Sequence, residues 1–372
     1  MIGGGLGGLV AAIRCAEQGV PVVLHEARRQ LGGRARSAEP PYIANQGPHG
    51  LYTDGVTWRF LLDRRITVPV TRPPMGGTRF HHEGKIRRTP PVPLLRAYRR
   101  MRRGAPADAD FRSWASRRWG DKAAALLCGA GGIFTYHHDP GELSAAFVAE
   151  RFVRVFAVPP TVRYVRSGWA TLVGALERHA RALGVRIETA SRMDRLPDPP
   201  VIVATELQAA ARLLDDPGVS WTSGSCAIFD VGLRRRRGDP WVVCDIDEVA
   251  WIERFSRTDR TLAAPGHELL QAVIGIRPGE TLDTTLRRLH TTLDAAFPRW
   301  RARLVWTRQA RMEAMTGALD YPGTTWRDRP GIDRGQGVFL ATDMSAAPGL
   351  LSEVSVASAL TAADLAVAAY AP

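Results

Sequence analysis

The spacing of apolar and polar positions changes several times along the chain, and each change marks an element. LVAAIRCAEQG (9–19) places small apolar residues at helical spacing and stops on Gly19. PVVLHE (21–26) is a short apolar strand closed by an acid. RSGWATLVGALERHARALGVRIETASRMDRL (166–196) reads as a glycine-bearing turn, an amphipathic helix and a strand, with Leu172, Leu176, His179 and Leu183 at helical spacing. VIVAT (201–205) follows as another strand. Between 223 and 330 the period falls to two: CAIFDVGL, WVVCDID, VAWIERF and LLQAVIGI alternate β-branched and polar residues, as strands of a mixed sheet do. DFRSWASRRWGDKAAALLCGAGGIFTYHHDPGELSAAF (110–147) is helical, and 337–369 gives a short strand followed by a final helix from Glu353 to Ala369. Short apolar strands alternating with helices imply a doubly wound parallel sheet, so the fold class is α/β.

The first turn carries the sharpest chemistry. Gly3, Gly5 and Gly8 fit G-x-G-x-x-G, enclosing Leu6 and Gly7. The first glycine makes the tight turn after a strand, the second lets backbone approach a pyrophosphate, and the third lets the next helix pack on the sheet. The helix N-terminus then offers free N–H groups to phosphate. Glu26 lies 18 residues after Gly8, the position at which a carboxylate accepts ribose hydroxyls. The pattern alone is weak; helix, strand and terminal acid in register make it strong. Only Met1 and Ile2 precede Gly3, where a full strand is expected. Either a strand residue stands at position 1 of a longer chain, or the central strand is truncated and cofactor affinity suffers.

ARRQLGGRARS (27–37) follows the acid. Ala27 and Arg28 lead into a second glycine pair, Gly32 and Gly33, where backbone passes close to a ligand; Arg34 supplies a fixed cation, and Arg36 and Ser37 lead onward. RRQLGGRARS resembles the R-x-x-x-G-G-R-x-x-S/T signature of the FAD enzymes of the amine oxidase, protoporphyrinogen oxidase and phytoene desaturase superfamily. NAD dehydrogenases do not need this second pair, so the resemblance implies FAD as cofactor. GVFLATDMSAAPGLLSEVSVASALTAADLAVAA (337–369) looks like the closing FAD motif of that superfamily. Asp343 then stands near the ribityl chain or pyrophosphate, and Gly349, Leu350 and Leu351 form the loop under the flavin. Thr342 replaces the usual glycine before the acid, and the usual glycine near Ala359 is absent. The segment around Met193 resembles the return to the FAD domain, with a backbone contact to adenine.

The resemblance implies a discontinuous Rossmann-like FAD-binding domain, 1–75, 162–222 and 331–372, carrying an inserted α+β substrate domain. The insert comprises a helical cap (76–161), closest to phytoene desaturase-like proteins through its Trp-Gly-Asp helix and Leu-Ser-Ala step, and a mixed sheet (223–330). In such enzymes the flavin does the redox step. The leading reading is a dehydrogenase or desaturase that transfers a hydride from a hydrophobic, isoprenoid or polyene, substrate to flavin N5. ANQGPHGLY (44–52) passes beside the flavin in this superfamily: Gly47, Pro48 and His49 belong to the cofactor contacts, and His49 and Tyr52 are candidate catalytic residues. His49 either orients substrate or moves a proton, its ordinary pKa lying near neutrality, or else Gly47–Gly50 is a turn packed against the ring. Tyr136 and Trp326 are candidate cavity residues, with core packing as the alternative for Tyr52 and Tyr136 alike. An amine oxidase is the second reading, since the superfamily's poised lysine is missing: Lys85 and Lys122 both precede the second-domain sheet. A non-redox flavin-dependent isomerase or degenerate flavin-binding module is the third. His81–His82 and His137–His138 lack an acid at metal spacing, so no metal is expected.

Composition alters this picture little. The chain has 372 residues, 45% hydrophobic, with a formal charge of +13 carried by arginine. Four scattered cysteines without CxxC spacing fit a reducing cytoplasm. The opening lacks the basic and apolar regions of a signal peptide, and no run of about 18 apolar residues suggests a membrane span. The arginine excess reflects either genome composition or an anionic partner. RAYRRMRRG (96–104) and LRRRRGD (233–239) are not interleaved with aromatics as a nucleic-acid platform would be, so no nucleic-acid partner is expected. VPLLRAYRRMRR (92–103) is either a basic amphipathic helix resting on the inner face of a membrane or a solvated arginine face. The electron acceptor, oxygen or quinone, is open.

Overall fold

The computed structural model describes residues 1–47 and 49–370. Its first layer is a parallel sheet in the order Arg186–Glu188, Val23–His25, Ile2, Val201–Val203, Val338–Leu340. Ile2 alone occupies the place of the central strand. It bridges His25 on one side and Val203 on the other. The Ile2 amide donates to Ile202 O at 2.9 Å, Ala204 N donates back to Ile2 O at 2.7 Å, and Gly3 N donates to His25 O at 2.8 Å. Met1 and Ile2 therefore complete the ladder at the point where the glycine turn leaves it.

Strand alternation decides which layer each side chain joins. Ile202 and Phe339 point toward helices Leu6–Glu17, Ala170–Ala182 and Ser352–Tyr370, whereas Val201, Val203, Val338 and Leu340 point toward helix Leu207–Leu214. This is the doubly wound α/β arrangement anticipated from the sequence. The last helix has the length and apolarity of a membrane span, which the residue pattern did not suggest. Its small residues Ala359, Ala362, Ala363 and Ala366 are buried against helix Leu6–Glu17, which makes it a core helix. Arg14 and Asp364 pair across that contact at 2.7 Å.

The second layer is a seven-stranded mixed sheet, ordered Leu304–Ala318, Ser223–Arg234, His267–Gly275, Ala250–Glu253, Val242–Asp245, Thr78–His82, Lys85–Arg87. Only the Val242–Asp245 and Thr78–His82 pair is parallel. One face is closed by helix Leu282–Ala296, onto which Ala227, Phe229, Val231 and Leu233 pack. The intervening Cys226 and Ile228 face a cavity. Helices Val92–Met101, Phe111–Trp119, Asp121–Thr135 and Ala145–Val155 form a third cluster beside this sheet.

The 76–161 insert is thus not wholly helical. Residues 78–87 form a hairpin at the sheet edge, turned by Glu83 and Gly84, both with positive φ (53° and 66°). A two-residue turn of that kind matches the twist of paired strands.

Candidate functional site

One continuous cavity of about 1590 Å³ runs from the glycine turn to the face of the mixed sheet that helix Leu282–Ala296 does not cover. Single small-molecule pockets are typically ~300–1,000 Å³, so this volume suits two ligands end to end.

The glycine turn builds one end, and its three glycines do three different things. Gly3 has φ +104°, and a Cβ there would meet the Ala204 carbonyl oxygen at 2.5 Å. A Cβ on Gly8 would sit 1.9 Å from Gly3 O, so Gly8 lets the helix close on the turn. Gly5 has nothing within 4 Å of an added Cβ and faces the cavity. It is also the N-cap of helix Leu6–Glu17 and offers no capping side chain. The helix N-terminus therefore keeps its N–H groups for a cavity ligand. Gly7 packs against Ala341 O and Ser355 O.

Glu26 is buried beside this turn. Its carboxylate accepts Gly4 N at 2.8 Å and Arg28 N at 2.9 Å, which fixes it facing the cavity with lone pairs to spare. Arg34 and Asp343, 309 residues apart in sequence, pair through Nη1–Oδ2 at 2.7 Å and Nη2–Oδ1 at 2.6 Å. The ion pair, hydrogen-bonded through Nη1 and Oδ2, joins the second glycine motif to the closing motif. Arg36 Nε donates to Gly33 O at 2.9 Å.

Thr342 fits without the glycine it replaces. Its hydroxyl meets Ser345 Oγ at 2.9 Å and accepts Met344 N at 3.1 Å, making a turn of its own. Gly349 has φ +117° and lies against Glu353.

Of the sequence-predicted cofactor residues, Gly3, Gly5, Leu6, Gly7, Glu26, Ala27, Arg28, Gly32, Gly33, Arg34, Arg36, Gly47, His49, Met193, Asp343, Leu350 and Leu351 line this cavity. Gly8 and Gly349 stand behind the lining, and Pro48 lies outside the described residues.

His49 and Tyr52 are brought to the cavity, but with restricted roles. His49 Nδ1 lies 2.6 Å from Gly47 O, and its ring packs edge-on against Trp169 at 4.7 Å. Burial pushes its pKa down against the pull of the Gly47 and Arg34 carbonyls. A neutral ring donates to Gly47 O. Tyr52 has its phenol pushed up to about 12 by burial, with the Arg154 guanidinium 4.7 Å from its ring centroid. Tyr136, in the left-handed region at φ 55°, ends helix Asp121–Thr135 and lines the cavity. Trp326 is not brought there: it sits in the turn Trp326–Asp328, capped by Thr325 and Asp328, with Arg327 over its ring. The Thr-x-x-Asp spacing around it is a local capping box.

The far end of the cavity is apolar, walled by Ile133, Phe134, Val155, Phe156, Ile228 and Met312. Glu253 interrupts it. Its oxygens accept Trp241 Nε1 at 3.2 Å and Trp251 Nε1 at 3.3 Å, and it also bonds Tyr164. Burial raises its pKa to about 7 despite those donors. Sequence reasoning did not single it out. The available signal was an acid in the apolar strand stretch VAWIERF, two residues after a tryptophan on the same face.

Folding also supplies acids to the histidine pairs that sequence spacing did not: His137 and His138 gather with Glu142, and His81 with Asp245 and Asp247. In each group a histidine is hydrogen-bonded to an acid, His137 to Glu142 at 2.5 Å and His81 to Asp245 at 2.9 Å.

Residues 1–64 match the family model described as NAD(P)-binding Rossmann-like domain. No curated protein matches the chain. An oxidoreductase from Methanosarcina mazei is 17% identical with a TM-score of 0.77, covering 97% of this chain and 98% of its own. Cyclohexylamine oxidase from Brevibacterium oxydans IH-35A is 15% identical with a TM-score of 0.74, covering 99% and 98%. Reduced UDP-galactopyranose mutase is 14% identical with a TM-score of 0.71, covering 100% and 95%. The chain has the two-domain fold of these proteins: a Rossmann-like domain with an inserted α+β domain on a mixed sheet.

Proposed function

We propose that this chain is an FAD-dependent oxidoreductase that takes a hydride from a hydrophobic small molecule. One observation carries the reading. Gly5, Glu26, Arg34 and Asp343, from opposite ends of the chain, line one cavity that continues into an apolar chamber. The residues fit a dinucleotide: an uncapped helix N-terminus over an open glycine for pyrophosphate, and a fixed carboxylate for ribose hydroxyls. FAD is favoured over NAD by the second glycine pair and the closing motif, which the Arg34–Asp343 pair ties together. Bound there, the cofactor supplies hydride acceptance at its N5. The chain's own residues hold it, wall off water and orient substrate.

An isoprenoid or polyene substrate suits the apolar walls. Val92 and Leu95 are exposed beside Arg96, Arg99 and Arg100 on helix Val92–Met101, and we include in the proposal that this face rests on an anionic membrane, where such a substrate dissolves. Amine oxidation is the second reading, favoured by the Glu253 carboxyl among Trp241, Trp251 and Tyr164 and by the oxidase names of structural neighbours. Anaerobic mixing of the flavin-containing protein with polyene and amine panels separates the readings. Bleaching by polyenes supports the first, bleaching by amines with peroxide release in air supports the second, and bleaching by neither contradicts both.

A further inference from the structure

Arg151 poses a problem that the cofactor site does not solve. It lies in the apolar helix Ala145–Val155, is 4% exposed, and lines the cavity beside Phe134. Its Nη1 donates to the Phe147 carbonyl at 3.2 Å, one turn back, and the guanidinium lies 3.3 Å from the centroid of the Phe147 ring. Among the described residues it makes no other hydrogen bond and no ion pair. Two acids stand in its field, and neither answers it. Glu150 is exposed, and Asp320 is held by Arg329 through two bonds, at 2.9 and 2.7 Å. Arg329 repels it further. Burial lowers the Arg151 pKa only to about 10, so it is still a cation at neutral pH.

A guanidinium has five N–H donors, and a buried one is stable when an anion meets it. No side chain here does. A methionine or leucine would fill the same place beside Phe147 without that cost. The unmet charge, opening onto the apolar chamber, is what a ligand's anion would complete.

We propose that Arg151 binds the carboxylate of the substrate, so that the substrate is an apolar molecule carrying one carboxylate group. The inference rests on the cavity being the substrate chamber of the proposed flavoenzyme. A carboxylate matches the planar fork of a guanidinium with two parallel bonds. One unmet charge suits a monoanion better than a phosphate dianion, and the aromatic and aliphatic walls take the rest of the molecule.

The test compares phenylbutyrate with phenylbutyramide, which share shape and differ in charge, by calorimetry on the purified protein with its flavin content measured in parallel. The expected result is at least tenfold tighter binding of the carboxylate. Arg151→Met should abolish the preference, keep the amide affinity and flavin content, and melt no lower than the parent; Arg151→Lys should keep part of the preference. Equal affinity in the parent overturns the proposal, as does a preference that survives Arg151→Met. Loss of flavin in a folded Arg151→Met protein also overturns it, since the cation would then serve the cofactor. The parent comparison stands if the variants fail to fold. A parent without flavin contradicts the cofactor reading instead, and the calorimetry still reads the carboxylate preference.

Discussion

Gly5 and Gly8 occupy one short turn, yet a methyl group added to each should do opposite things. At Gly8 the new Cβ would lie 1.9 Å from the Gly3 carbonyl oxygen and 3.0 Å from its carbon. Both are backbone atoms of the turn that joins Ile2 to helix Leu6–Glu17, so neither can rotate away. The helix must lift by about an ångström. Overpacking of that kind costs ~1–3 kcal/mol, and rigid neighbours put Gly8→Ala at the upper end, a melting temperature lower by roughly 3–4 °C for a chain of this size. Gly5 has φ −76° and ψ −172°, which alanine adopts freely, and no atom lies within 4 Å of its added Cβ. Gly5→Ala should leave folding unchanged or stabilise it by ~0.4–1 kcal/mol through the unfolded chain. The same methyl then occupies the space left for pyrophosphate, and an overlap of ~1–3 kcal/mol weakens the dinucleotide about 5- to 150-fold. Thermal melting of protein stripped of cofactor gives the first quantity, and titration with FAD the second. A Gly5→Ala protein that holds FAD as tightly as the parent would refute the assignment of Gly5 as the phosphate-facing glycine.

Other expectations follow from the same geometry. Thr342→Gly removes the hydroxyl that bonds Ser345 and Met344, so denaturant melts should show a loss of about 1–2 kcal/mol with no gain in FAD affinity. The Glu253 carboxyl, raised to about 7 in the fold from an ordinary 4.5, holds its proton more tightly when folded. Its stabilising contribution is full below about pH 4.5 and is lost as the pH rises through about 7, a change of roughly 3 kcal/mol. Glu253→Gln should lack that decline, read as parent minus variant because Asp230, raised to about 6, contributes with the same sign. A double-mutant cycle on Arg34→Gln and Asp343→Asn should give a coupling of about 1–3 kcal/mol, and additive effects would dissociate the two motifs. Trp326→Ala should leave substrate kinetics unchanged, as steady-state rates would show, because the cavity does not reach it.

Much of the cofactor end was readable in the sequence because its geometry is local. A glycine turn, the helix after it and the acid that closes the next strand are fixed by φ values and side-chain volume over about thirty residues. Thr342 departs from the expected pattern and still makes a closed turn, since position 342 avoids the left-handed region and its hydroxyl caps the turn. The substrate end was not legible in this way. Glu253 ends a strand of the mixed sheet, Trp241 precedes the neighbouring strand, and Tyr164 lies in strand Val162–Val165 of a separate small sheet, so only the packing of one sheet on the other brings them together. Trp326 was misplaced for the converse reason: an aromatic near the right position in sequence was held by its own capping box on the surface of another turn. The hairpin 78–87 was hidden by the proline-rich run after it, although Glu83–Gly84 between alternating residues carried its turn chemistry.

The central claim is that the cavity joining Gly5, Glu26, Arg34 and Asp343 holds FAD. The most direct test is the absorbance spectrum of the protein as purified, with the released cofactor identified by mass. The account predicts a flavin spectrum and the mass of FAD, at close to one per chain. A colourless protein that acquires no flavin on incubation with FAD would contradict it.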